Sequence, residues 1–193
     1  MILILKVELI LGKQLIKGEK IDISKINSSS NKFELVITYK NNNENSYDID
    51  TFVCVCENNN RINKKEIIFY NNVENTDKSI CFVDCFTDNT ENKKTFQINL
   101  NSANISKLII GYSIYKSNLC KQSSADITLK LINRTLQTEV FTMSMQSDII
   151  NNNAGVVGEV YKYKDVWKFN AIEYNSPNDL MSTIKTLFNV ILY

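Results

Sequence analysis

The sequence predicts an all-β fold: a two-sheet β-sandwich with short connecting turns and one C-terminal helix. Runs of β-branched and apolar residues recur along the chain, separated by polar, asparagine-rich turns. The runs are of two kinds, which two stacked sheets explain. KLIIGYSIY at 107–115 is apolar on both faces, whereas TLKLIN at 128–133 and YKYKDVWKF at 161–169 alternate as half-exposed strands do. Only the end of the chain carries a helical period.

Taken in order, the first strand is Ile2–Leu11, from the run MILILKVELI that Lys6 and Glu8 interrupt. Glu19–Ser24 and Phe33–Tyr39 follow, and the NNN run at 41–43 then forms a solvated loop. Asp50–Cys56, Glu66–Tyr70 and Ile80–Asp84 are next, then Thr95–Leu100, with a single turn over Asn101–Ser106. Lys107–Tyr115, Asp126–Ile132 and Glu139–Met145 come after it. Val157–Tyr163 and Trp167–Glu173 flank a turn at Lys164-Asp165, with Trp167 a partly buried anchor beneath that hairpin. The helix runs from about Pro177 to Ile191, because Leu180, Met181, Ile184, Leu187, Phe188 and Ile191 recur on one face. Ser176 serves as its cap, Pro177 as its first residue and Asp179 as the capping-box acid.

The chain has 193 residues and is 44% hydrophobic, which suffices for one sizeable core and predicts one domain over 1–193. Lys+Arg number 22 against 21 Asp+Glu, a formal charge of +1, and the basic residues are scattered singly. That distribution argues against nucleic acid as a partner. The N-terminal run has no basic region before it and no small-residue cleavage site after it, and no stretch reaches the ~20 apolar residues of a membrane span. Five cysteines without an export signal point to reduced thiols and a cytoplasmic location.

The chemistry is narrowed by exclusion. There is no histidine, which removes Ser-His-Asp and Cys-His dyads, His-ligated zinc and the commonest general base. The five glycines form no phosphate cradle; Gly155 and Gly158 suit a turn. The expectation is a protein that is not an enzyme. Cys54 and Cys56 form C-x-C, and Cys81 and Cys85 form C-x3-C, but without a C-x2-C knuckle these read as small buried hydrophobes.

The stretch YDIDTFVCVCE at 47–57 is the exception. Asp48 and Asp50 are two apart, so an extended chain points both carboxylates to the face shared by Phe52, Cys54 and Cys56. Two acids side by side oppose each other's ionisation unless donors or a cation intervene, and calcium is the usual resolution. The other reading is that these first residues of the strand are still solvated.

Five blocks, in order, resemble the tellurite-resistance TerD family of stress proteins. LIKGEKIDISK at 15–25 is similar to the family's opening Leu-x-Lys-Gly-x-Lys-x-x-Leu run, and YDIDTFVCVCE to its Phe-Asp-Leu-Asp strand. EIIFYNN at 66–72 resembles Phe-Val-Phe-Tyr-Asn-Asn, and FQINLNSANISKLIIGYSIY at 96–115 a strand ending in Asp-Leu, a short turn and a long apolar strand. GEVYKYKDVWKFNAIEYN at 158–175 is similar to the family's Gly-Glu-Leu-Tyr-Arg … Trp-Lys-Phe-x-Ala hairpin. Together the blocks cover most of a core over 12–175.

The resemblance implies a calcium-binding β-sandwich of the stress response, with no enzymatic reaction. It places calcium on Asp48, Asp50, Asn71 and Asn72, and on an acidic glycine-rich loop. At that loop this chain has VDCFTDNTENKK, 83–94, with no glycine, so Asp84, Asp88 and Glu91 are the donors available there. Such a site predicts weak affinity, about 10⁻⁵ to 10⁻³ M. The resemblance also allows cAMP, or another TerD-like protein, as a partner, and a metal-free scaffold as the alternative role.

Overall fold

A computed structural model describes residues 12–24, 31–40, 47–57, 60–87, 91–116 and 124–193. The expected strand Ile2–Leu11 lies outside them. The strands are β1 Lys13–Leu15, β2 Lys20–Asp22, β3 Lys32–Lys40, β4 Tyr47–Cys56, β5 Arg61–Ile62, β6 Ile67–Ile68 and β7 Ile80–Thr87. They continue with β8 Glu91–Asn99, β9 Lys107–Lys116, β10 Ser124–Asn133, β11 Thr138–Asp148, β12 Ala154–Tyr163 and β13 Val166–Ser176, then the helix α1 Leu180–Phe188 and β14 Ile191–Leu192.

These strands form the expected two sheets, of six strands each, ordered β1-β11-β10-β3-β8-β7 and β2-β13-β12-β9-β4-β6. All neighbours are antiparallel except β1 with β11. Alternation sends one face of each strand between the sheets. There Phe33, Leu35, Ile37 and Tyr39 of β3 and Phe96 and Ile98 of β8 share a core with Ile49, Val53 and Val55 of β4 and with Leu108, Ile110 and Tyr112 of β9. Phe141 and Phe169 meet across the sheets with ring centroids 4.3 Å apart.

The opposite face of the second sheet is covered as well, which is why KLIIGYSIY is apolar on both sides. Phe52, Cys54 and Cys56 of β4, with Ile109, Ala154 and Val156, pack under Leu180 and Ile184 of α1. Gly111 makes the approach possible: a Cβ there would lie 2.8 Å from Leu180 Cδ1. Trp167 is 4% exposed, more buried than the sequence suggests. The turn at Lys164-Asp165 is a two-residue hairpin loop with both residues at positive φ, 46° and 63°.

The helix is shorter than its apolar period predicts. Ser176 is still in β13, opposite Ala154, and its hydroxyl accepts from the Asn178 N–H rather than from a helical turn. Asp179 is the N-cap: its backbone is extended, and its side chain accepts from the Ser182 N–H at 2.9 Å. Asn189 ends the helix in the left-handed region, φ 50°, ψ 44°. Ile191 therefore belongs to no helical face; it pairs in parallel with Arg61 in the small β14–β5 sheet. Leu187 is exposed, and Thr183 takes its place among the buried helical residues.

Candidate functional site

β4 begins earlier than the sequence suggests, at Tyr47, so Asp48 and Asp50 are both inside the strand. They occupy the β4 face that carries Phe52, Cys54 and Cys56 further along, as the spacing requires. The two carboxylates have different surroundings. That of Asp48 turns back to accept the Ile49 N–H at 2.8 Å and the hydroxyl of Tyr39, from the other sheet, at 2.5 Å. Asp50 is 9% exposed, and no donor among the described residues is hydrogen-bonded to its carboxylate. Burial first, and the neighbouring Asp48 charge second, raise the Asp50 carboxyl above its ordinary value; the Lys94 ammonium partly offsets this.

Around the pair stand aromatic hydroxyls that sequence reasoning missed. Tyr115 of β9 is directly opposite Asp48, and its phenol is pushed up by burial, by the Asp50 charge and by Tyr70. Tyr70 stacks edge-on against Phe69, whose ring lies 5.1 Å from that of Phe52. Alternation in the sequence could have placed Tyr39 on the inward face of β3, but only the fold brings its hydroxyl to Asp48 and sets Tyr115 opposite.

The asparagine pair follows β6, which runs beside β4 with Val53 opposite Ile68 and Cys54 opposite Ile67. Phe69 and Asn72 exchange both backbone hydrogen bonds at 3.0 Å, closing a tight turn over Tyr70 and Asn71. The antiparallel register carries that turn to the Asp50 end of β4. Asn72 fixes it: its side-chain amide donates to the Lys65 carbonyl at 3.0 Å and the Ile67 carbonyl at 2.7 Å. Only its oxygen is left for a cation. Asn71 is exposed.

The remaining candidates are placed less completely. Glu91 opens β8 opposite Lys40, one residue from the Asn92–Tyr39 pair, and is exposed. Asp84 is opposite Thr95 at a bulge in β7, its side chain outside the description, and Asp88 lies outside the described residues. Among the described residues no three His, Cys, Asp or Glu side chains gather as a metal cluster. The structure thus sets Asp48 and Asp50 on one face of β4, with the Asn71–Asn72 turn directed toward their end of the strand by register. Two carboxylates, one of them buried without a donor, fit a hard cation held partly by protein oxygens and otherwise by water.

Among the described residues the cysteines form no such centre. Cys54 and Cys56 are buried free thiols under α1, with Cys54 pushed up to about 12 by burial and by Cys56. Cys81 is on β7, in the other sheet. Among the described residues no helix is long and apolar enough to cross a membrane.

Comparison with known proteins gives the same arrangement a family. A TerD domain model matches residues 11–187. The chain is 25% identical over 170 residues to the uncharacterized protein YceE of Bacillus subtilis (strain 168), covering 82% of this chain and 88% of that one. It is 25% identical over 169 residues to general stress protein 16U of the same organism, with the same coverage. Tellurium resistance protein TerD of Serratia marcescens is 25% identical over 134 residues, 65% of this chain and 70% of that protein. A sandwich whose Asn-Asn turn is directed toward the Asp-x-Asp end of its strand, matched over nearly its whole length, places this chain in the TerD domain family.

Proposed function

We propose that this protein is a non-enzymatic, calcium-binding member of the stress-response family, and that it binds calcium weakly at the Asp48–Asp50 end of the sandwich. The observation that supports this best is the Asp50 carboxylate, nearly buried, beside a second carboxylate and without a donor among the described residues. An ionised group in that position is costly unless it is paired. Calcium would take Asp48, Asp50 and oxygens of Asn71 and Asn72, with Asp84, Asp88 and Glu91 as further donors from the 83–94 segment. Calcium takes 6–8 oxygens, so waters complete the shell and the affinity is low.

Isothermal titration calorimetry with calcium chloride tests this directly. Saturable binding with a dissociation constant near 10⁻⁵ to 10⁻³ M, lost in the Asp48→Asn/Asp50→Asn variant, is the expected result. No heat of binding in the unmodified protein overturns it. The reduced thiols Cys54 and Cys56 suit the cytoplasm as its location.

A second reading, a metal-free scaffold or cAMP-binding partner, is favoured by one observation. Asp48 is already satisfied by Tyr39 and the Ile49 N–H, so half of the carboxylate pair needs no metal. Trp167 is too deeply buried to stack on a nucleotide. Calorimetry with cAMP, rather than tryptophan quenching, is the measurement that separates this reading from the first.

A further inference from the structure

The end of the core from which Tyr39 reaches Asp48 also holds a buried lysine. In β8, Phe96 and Ile98 face the core between the sheets. Counting by twos toward the start of the strand, the same face presents Lys94 and then Asn92. Lys94 is 8% exposed, and a lysine is seldom so buried unless its charge is compensated. Its neighbour on β3 is Ile37, two residues before Tyr39; Tyr39, opposite Asn92, donates to Asp48. Lys94, Tyr39 and Asn92 therefore form one inward patch at the end of the core where Tyr39 reaches across to Asp48. No carboxylate of a described residue reaches salt-bridge distance of Lys94; its charge acts through space, opposing the burial and the Asp48 charge that raise the Asp50 carboxyl.

We propose that Lys94 is a built-in counter-cation for the Asp48–Asp50 pair, balancing it in the metal-free protein and opposing the entry of calcium. A site that holds two carboxylates and an ammonium offers a divalent cation much less than the two carboxylates alone. Calcium must expel the ammonium or bind beside it, and the low polarisability of the surroundings strengthens that repulsion. Lys94 then sets the affinity of the site. This second half rests on the calcium reading; the charge balance belongs to the metal-free chain and does not.

The test uses Lys94→Met, which keeps the buried stem and removes the charge, and Lys94→Arg, which keeps the charge. Calorimetry should show Lys94→Met binding calcium at least about tenfold tighter than the unmodified protein, and Lys94→Arg binding as the unmodified protein does. Melting in chelator supplies the metal-free arm, as a double-mutant cycle with Asp50→Asn. Lys94→Met should lower the melting temperature when Asp50 is present and do so much less in the Asp50→Asn background. Equal shifts in both backgrounds overturn the counter-cation. Unchanged calcium affinity in Lys94→Met overturns the control of affinity while leaving the calcium reading standing. No binding by any variant overturns the calcium reading and the control of affinity together, and the cycle still decides the counter-cation. Lys94→Gln carries the same measurements should the methionine variant fail to fold.

Discussion

The Tyr39 hydroxyl donates to the Asp48 carboxylate at 2.5 Å, joining the two sheets at the end of the sandwich where the candidate site lies. Tyr39 is 3% exposed while Asp48 is exposed, so the bond lies at the rim of the core and is partly buried. It also makes the two aspartates unequal. Asp48 receives two donors, whereas Asp50 depends on the charges around it.

Replacing Tyr39 with Phe keeps the ring in the core and removes that donor. A hydrogen bond to a charged group contributes about 1.5–3 kcal/mol, and the loss should fall in that range. Urea denaturation measures it, with the midpoint shifting and the slope unchanged because the fold buries the same surface.

Asp50→Asn should stabilise the metal-free protein at neutral pH. The Asp50 carboxyl is raised above its ordinary value of 3.8 by burial and by Asp48, so the folded state disfavours ionisation. Below 3.8 the group is protonated in both states and imposes no cost; as pH rises through the raised folded value the cost is fully present. The stabilisation by asparagine should therefore grow from nothing in acid to its full size at neutral pH. Melting curves across that range check it, and a gain independent of pH would contradict it.

How much of this was legible in the sequence follows from the kind of signal each feature leaves. Alternation and apolar runs reveal strands long enough to show a period, so β3, β9 and the β12–β13 hairpin were readable to within a few residues. Two-residue β5 and β14 carry no period, and their pairing depends on where the helix ends. The helix start was misread because Ser176 and Asp179 are both competent caps. What decides between them is that β13 still pairs at Ser176, a long-range fact. Asp48 and Asp50 were visible as a local spacing. Tyr39, Tyr115 and Lys94 come from distant strands, and Lys94 was overlooked because the apolar run of β8 suggests a start at Thr95.

The glycine at 158 should tolerate no side chain, although its neighbour in type at 18 should. A Cβ on Gly158 would lie 2.4 Å from Phe169 Cζ and 2.6 Å from the Asn170 carbonyl oxygen, beside a bulge in β12. Gly158→Ala should cost about 2–3 kcal/mol by overpacking, since a backbone oxygen cannot step aside. Gly18 has φ +84° and open space around it, so Gly18→Ala should cost only about 1 kcal/mol of backbone strain. Chemical denaturation of both variants gives the comparison.

Cys54 and Cys56 should resist alkylation in the native state. The Cys54 thiol, pushed up to about 12 and enclosed beneath α1, offers almost no thiolate at neutral pH, and burial also raises Cys56. Mass spectrometry after iodoacetamide should find both unmodified until denaturant is added. Cys81 is half-buried and should react sooner.

The central claim is that Asp48 and Asp50 hold a calcium ion, and thermal denaturation against calcium concentration tests it most directly. Ligand that binds only the folded state stabilises it by about 2.7 kcal/mol at a hundredfold excess over the dissociation constant. The melting temperature of the unmodified protein should rise progressively with millimolar calcium, and that of Asp48→Asn/Asp50→Asn should not move. An unmodified protein whose melting temperature ignores calcium, or a double variant that gains as much as it does, would contradict the account.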